Sequence, residues 1–261
     1  MTSIEPIVLA ALSDLARGLR ALQVRFCIIG ALVPEVLLGA APRRRTNDAD
    51  ATIIVDSLEE FDRLKQRLGE FGFDPTLRPY RMAHRAGGWV DLIPYSAALA
   101  PNGHLEFGDE VTFNLAGFEL VVPNAVDVPI GPELVVPMVP VALYVLLKLI
   151  AYADRKARKD LASVMHCLRH YREDDDARYG LEHGGELVPF EFTPACLLGL
   201  DARPFVPSLA LSVRPLLDRF DGPDAAIVGL VASEDRPGLI EDADRIEVFE
   251  FFRWFRLSAS L

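Results

Sequence analysis

The sequence predicts an α+β protein: a small mixed sheet with flanking helices, followed by a mainly helical C-terminal half. Three observations carry this. Short β-branched or apolar runs alternate with helical periodicities up to about residue 95. Four prolines, Pro129, Pro132, Pro137 and Pro140, then mark a linker. Beyond them the apolar spacing is helical, which divides the 261 residues into 1–135 and 136–261.

The elements follow in order. Ile7, Leu12, Leu15, Leu19 and Leu22 are spaced as one face of an amphipathic helix that has Asp14 inside it. That segment lacks the basic start and uninterrupted apolar centre of a secretory signal. Phe26 to Ile29 reads as a buried strand whose tip, Gly30-Ala31, lets another group approach the backbone. Leu32 to Leu38 is helical in character, with Pro34 in its first turn and Gly39 as a stop. A strand, a Gly-small turn and a helix start form a corner suited to an anion. A β-branched strand ends at Val55, and Ser57-Leu58-Glu59-Glu60 is a capping box opening a helix to about Gly69. Gly88 to Pro94 is a third short strand. Val111 to Phe113 and Phe118 to Val122 are further strand candidates. From Val141 to about Tyr171 the periodicity predicts one helix. Thr193-Pro194 reads as a helix start, and Leu209 to Phe220 and Arg245 to Leu257 are helical patches.

The chemistry concentrates in Arg44-Arg45-Thr46-Asn47-Asp48-Ala49-Asp50. On a strand, residues i and i+2 share a face, so Asp48 and Asp50 converge. Adjacent carboxylates repel unless a cation lies between them, and hard divalent ions take oxygen ligands. The pair reads as half of a metal site for phosphate chemistry, against the plainer reading of an Asp-rich turn. Asp91 interrupts an apolar strand, where a carboxylate is costly unless paired or metal-bound. It completes a three-acid cluster if its strand lies beside the first; otherwise it is an edge residue facing water. On the Val141–Tyr171 helix, Lys148, Tyr152, Arg155 and Lys159 share a face opposite Leu143, Leu146, Ile150, Leu161, Val164 and Leu168. Lys148 is the only charge between Val141 and Ala153, with Tyr144 and Tyr152 one turn to either side, and this calls for an anion partner or another domain. Lys148, Arg155 and Lys159 are read as triphosphate ligands. Asp160 is read as an ion-pair partner of Lys156, and His166 and His170 as surface residues.

The order Gly30-Ala31, then Arg44-x-Thr46-x-Asp48-x-Asp50, then Asp91 resembles the nucleotidyltransferase superfamily of DNA polymerase beta. Within it, the run resembles the AbiEii/AbiGii toxin-like group, as does the later block Lys148 … Arg155 … Arg158-Lys159-Asp160. The resemblance covers about Arg25 to Arg172. It implies a nucleotidyltransferase core in which Asp48, Asp50 and Asp91 are catalytic and hold two Mg²⁺. Nucleotide binding would fall to Gly30, Ala31, Arg44, Thr46, Lys148, Arg155 and Lys159. The implied partners are an NTP, an acceptor such as the end of a tRNA, and an antitoxin protein. Ala31 departs from the pattern, because the usual Gly or Ser is replaced by a residue that donates no side-chain hydrogen bond. Two alternatives follow: transfer to a small molecule such as an aminoglycoside, or a non-catalytic nucleotide-binding module.

Composition bounds the rest. A net charge of −11 argues against a general nucleic-acid binder and suits a cationic small-molecule acceptor. Charge is uneven, with seven Lys/Arg against two Asp between Lys148 and Arg172, and an Arg43-Arg44-Arg45 cluster beside the acids. No apolar run approaches the ~20 residues of a membrane span. Cys27, Cys167 and Cys196 have no Cys-x-x-Cys spacing and an odd count, and read as core or free thiols of a reducing cytoplasm. Phosphate-loop, zinc-protease and serine-hydrolase motifs do not occur in the sequence.

Overall fold

The computed structural model describes residues 4–38, 48–107, 111–131, 134–236 and 238–261. These form two compact units, one within residues 4–37 and 48–140, the other residue 38 with 141–261.

The first unit opens with α1 (Pro6–Ala21), started by Pro6 at its first turn. It buries Val8, Ala11, Leu12, Leu15 and Leu19 against the sheet. β1 (Phe26–Ile29) leads into α2 (Leu32–Leu37), and β2 (Asp48–Ile54) follows. α3 (Leu58–Leu68) has Ser57 as its N-cap, whose hydroxyl accepts the Glu60 N–H at 3.1 Å. The Glu60 carboxylate reaches back one residue further than a standard capping box and accepts the Asp56 N–H at 2.8 Å. Next come β3 (Phe73–Pro75), β4 (Arg81–His84), β5 (Trp89–Tyr95), the hairpin β6 (His104–Phe107) and β7 (Val111–Asn114), α4 (Phe118–Val121), β8 (Val126–Pro129) and β9 (Val135–Met138).

Seven of these strands make one mixed sheet in the order β3-β4-β5-β2-β1-β9-β8. β2 runs parallel to β5 and antiparallel to β1, so the strands predicted to carry the acids are direct neighbours at its centre. Ala49, Ala51 and Ile53 of β2 and Val90 and Leu92 of β5 are buried on the face opposite the acids. Asp14 within α1 bonds the buried His84 ring of β4 at 3.0 Å and so ties that helix to the sheet.

Three expectations need correction in this unit. Residues 118–121 are a helical turn: Gly117, at φ +89°, swings the chain round so that the Leu120 N–H reaches the Gly117 carbonyl. The proline segment holds two strands. β8 lies at the sheet edge and β9 meets β1 along a short ladder, places where missing proline N–H groups cost little. β3 and β4, too short to show a period, were not expected.

The second unit contains α5 (Val141–Arg155), α6 (Arg158–His170), the short hairpin β10 (Glu182–His183) and β11 (Glu186–Leu187), α7 (Thr193–Ala202), α8 (Val206–Leu217), α9 (Ala226–Asp235) and α10 (Asp242–Ala259). The single helix expected over 141–171 is two. The chain leaves the helical path at Lys156, φ +55°, after its N–H closes on the Tyr152 carbonyl. α7 and α10 cross closely at Gly199, where a Cβ would stand 2.1 Å from the Ser258 Oγ and 2.5 Å from the Phe255 carbonyl. All three cysteines are buried and free, and burial raises their thiol pKa values, for Cys27 to about 12. No helix among the described residues is long and apolar enough to cross a membrane.

Candidate active site

The register decides which acids meet. Asp50 of β2 pairs with Asp91 of β5, and Asp48 lies two residues before Asp50, opposite Trp89. In a parallel pair, residues in register point to the same face, so Asp48, Asp50 and Asp91 share one face of the sheet. Thr52 continues that face inward and is buried, its hydroxyl donating to the Ile93 carbonyl at 3.1 Å.

Gly30 explains how Asp50 fits. β1 pairs with β2 so that Ile29 faces Asp50, and Gly30 follows at φ +81°. A Cβ there would stand 1.9 Å from the Asp50 Oδ2 and 2.6 Å from its carboxyl carbon. The close approach foreseen at this turn is therefore made by the acid itself. α2 begins directly after Ala31 and has only six residues.

A cation already sits among the acids. Arg81 of β4 is in register with Asp91. Its Nε donates to Asp91 Oδ1 at 2.6 Å and an Nη to Asp91 Oδ2 at 2.7 Å, a two-pronged pair. The same Nη also reaches Asp48 Oδ2 at 3.3 Å. The hydrogen bond to Asp91 is the main reason the Arg81 pKa lies above its ordinary value; burial opposes it, and the charges of Asp91 and Asp48 add to it. The guanidinium lies 5.9 Å from the Trp89 ring centre, and Trp89 is 45% exposed. Tyr80, the residue before Arg81, packs edge-on against Phe113 at 5.0 Å, so the β6–β7 hairpin supports the strand that carries the arginine. Sequence reasoning missed Arg81. The alternation Arg81, Met82, Ala83, His84, with the even positions buried, was the available signal.

Arg44 and Thr46, with Arg43, Arg45 and Asn47, lie outside the described residues. The remaining nucleotide-binding candidates lie in the second unit. Lys148 Nζ donates to Asp160 Oδ1 at 3.1 Å, while Arg155 forks onto both Asp160 oxygens at 2.6 and 2.7 Å. Asp160 is fully buried, and its partners are these two cations, whereas Lys156 turns to the Ala153 carbonyl. Burial resists ionisation of Asp160, but the bonds from Arg155 and the charge of Lys148 outweigh it and hold the carboxyl below its usual range. In one straight helix Lys148 and Asp160 would be roughly 18 Å apart; the break at Lys156 brings them together. Lys159 is exposed. Tyr144, 5.5 Å from the Lys148 Nζ, and Tyr152 are buried, so the tyrosines flanking Lys148 belong to the core. His166 and His170 are half-buried with rings 4.7 Å apart, less exposed than expected.

The acid face suits a hard divalent ion in part. Asp48 and Asp50 offer carboxylate oxygens on one face, and the absent Cβ at Gly30 makes room for Asp50. Asp91 is already occupied by Arg81, and among the described residues no three His, Cys, Asp or Glu side chains are grouped to hold an ion.

No family model matches the chain, and no curated protein matches it. Among solved structures it is similar to an antigenic nucleotidyltransferase-like protein from Paracoccidioides brasiliensis, at 19% identity and a TM-score of 0.44 over 80% of this chain and 94% of that one. It is also similar to the lincosamide antibiotic adenylyltransferase LnuA with lincomycin bound, at 14% identity and a TM-score of 0.38 over 62% and 96% of the two chains. A third similarity, to JHP933 from Helicobacter pylori, has 12% identity and a TM-score of 0.39 over 99% and 95%.

Proposed function

We propose that the chain is a Mg²⁺-dependent nucleotidyltransferase that moves an NMP from an NTP to a hydroxyl acceptor and releases pyrophosphate. The observation that carries this reading is the placement of Asp48, Asp50 and Asp91 on one sheet face, with Asp50 packed against Gly30. Three acids gathered on one sheet face point to polyphosphate chemistry through a divalent ion. Asp48 and Asp50 would hold Mg²⁺, which when bound lowers the pKa of the attacking hydroxyl and neutralises phosphate charge. The acceptor oxygen bonds to the α-phosphorus, the bond to the β-phosphate oxygen breaks, and the hydroxyl proton leaves to solvent. Arg81 keeps Asp91 oriented throughout. Lys148, Arg155 and Lys159, with Arg44 and Thr46, are proposed as triphosphate ligands, the first two already fixed in orientation by Asp160.

The sequence run from Arg44 to Asp50 favours a toxin-like role of the AbiEii kind. In it the acceptor would be a tRNA end and an antitoxin would restrain the enzyme, as part of a toxin–antitoxin or phage-defence system. The net charge of −11 favours a second acceptor, a cationic aminoglycoside. Incubation with each α-labelled NTP, Mg²⁺ and either tRNA or an aminoglycoside tests both. Label should enter one acceptor with the native chain and neither with Asp48→Asn or Asp50→Asn. Label transfer by the Asn variants at the native rate would remove the acids from the chemistry. NTP binding without pyrophosphate release from any acceptor would favour a non-catalytic module, the reading that Ala31 motivates.

A further inference from the structure

We propose that the second unit carries a docking surface for a Lys/Arg-bearing segment of another protein, centred on the exposed rings of Tyr179 and Phe190. This does not rest on the nucleotidyltransferase reading. A short 3-10 turn, Phe190–Phe192, divides its two rings between core and solvent. Phe192 packs edge-on against Phe251 of α10 at 5.0 Å, whereas Phe190 is 48% exposed. The Phe190 ring is held in place from beneath. The buried Arg178 guanidinium lies 4.2 Å from its centre and is fixed by bonds to the Thr193 hydroxyl at 3.0 Å and the Glu173 carbonyl at 2.6 Å. Tyr179 sets its ring 5.3 Å from that of Phe190, at 31°, and is itself 72% exposed. Fixed aromatic rings open to water are frequent anchors of protein interfaces. Charge names the occupant. Between residues 173 and 191 seven Asp/Glu stand against one Arg, and that is the buried Arg178. Asp176, Glu182 and Glu191 are exposed, lie within three residues of one of the rings, and have no ion-pair partner among the described residues. Three residues span at most about 11 Å, so these carboxylates act on the space in front of the rings. Ring faces and carboxylates both attract cations, and the stem of a Lys or Arg covers apolar surface while its head stays charged. The same charge repels nucleic acid and anionic lipid.

The probe is a fluorescently labelled peptide of repeated Gly-Arg-Leu, followed by anisotropy at about 0.1 M salt, with repeated Gly-Glu-Leu as its counterpart. The native chain should bind the first and not the second. Tyr179→Ser removes an exposed ring, so it should melt as the native chain does and bind about fivefold more weakly. Glu182→Gln/Glu191→Gln should weaken binding by a similar factor. Asp221→Asn/Asp224→Asn makes the same change in net charge at two exposed acids elsewhere in the chain and should leave the affinity as it is. A native chain that does not bind the Gly-Arg-Leu peptide would overturn the proposal, as would Tyr179→Ser binding at the native affinity. An equal loss in the two acid pairs would reduce the effect to net charge and overturn it too. Self-association of the native chain that Tyr179→Ser abolishes would assign the surface to a second copy, against the proposal.

Discussion

Gly30→Ala is the substitution whose effect the geometry defines most sharply. The added methyl would stand 1.9 Å from the Asp50 Oδ2, and real Cβ contacts essentially never fall below 3.0 Å, so the carboxylate must retreat by about 1.1 Å. A displacement of that size in a reacting constellation costs about 10²-fold in turnover. The backbone adds a separate penalty, because φ is +81° and an L-residue there costs roughly 1–2 kcal/mol. These two parts separate in a double-mutant cycle with Asp50→Gly, which removes the side chain the methyl would strike. The φ penalty should persist in both backgrounds, whereas the clash should appear only with Asp50 present, as a coupling of about 1–2 kcal/mol. Urea unfolding of the four proteins measures the coupling, and pyrophosphate release measures the rate. Additivity within about 0.3 kcal/mol, together with native turnover in Gly30→Ala, would refute the claim that this glycine exists to seat Asp50.

Further outcomes are expected elsewhere. Asp160→Asn leaves Lys148 and Arg155 without their buried carboxylate and should cost about 3–5 kcal/mol in urea unfolding. Because the folded-state pKa of Asp160 lies below 3.8, that stability is fully present above the ordinary carboxyl range. The difference between native and Asp160→Asn should therefore stay constant through mildly acidic pH and shrink only as pH falls below 3.8; a difference that disappears near neutrality would contradict the ion-pair account. Gly199→Ala places a methyl 2.1 Å from the Ser258 Oγ and should lower stability by about 1–3 kcal/mol, whereas Gly180→Ala, with no atom within 4 Å, meets no such clash and pays only for its φ of +65°. Leu15→Ala removes a fully buried side chain of α1 and should cost about 2–5 kcal/mol in urea unfolding.

Asp48, Asp50 and Gly30 were legible in the sequence because strand alternation and glycine's access to positive φ are local properties. The amphipathic face of α1, the cap of α3 and the start of α7 were legible for the same reason: each depends on residues within four positions of one another. Whether Asp91 faced water or the other acids was a matter of which strand lies beside which, and only the parallel pairing of β2 with β5 decided it. Arg81 was invisible for a related reason. It sits on a four-residue strand, and its partners are 10 and 33 residues away in sequence. Lys148 shows the limit from the other side. Its isolation in an apolar helix announced that an anion must meet it, but naming Asp160 required the left-handed turn at Lys156 that folds α6 back onto α5. The sequence by itself determined the conformations of α1, the acid-bearing strands and the start of α3, and the acids on offer. Tertiary structure decided which charges face one another, because pairing across strands and helices depends on register and chain reversal, which no single segment encodes.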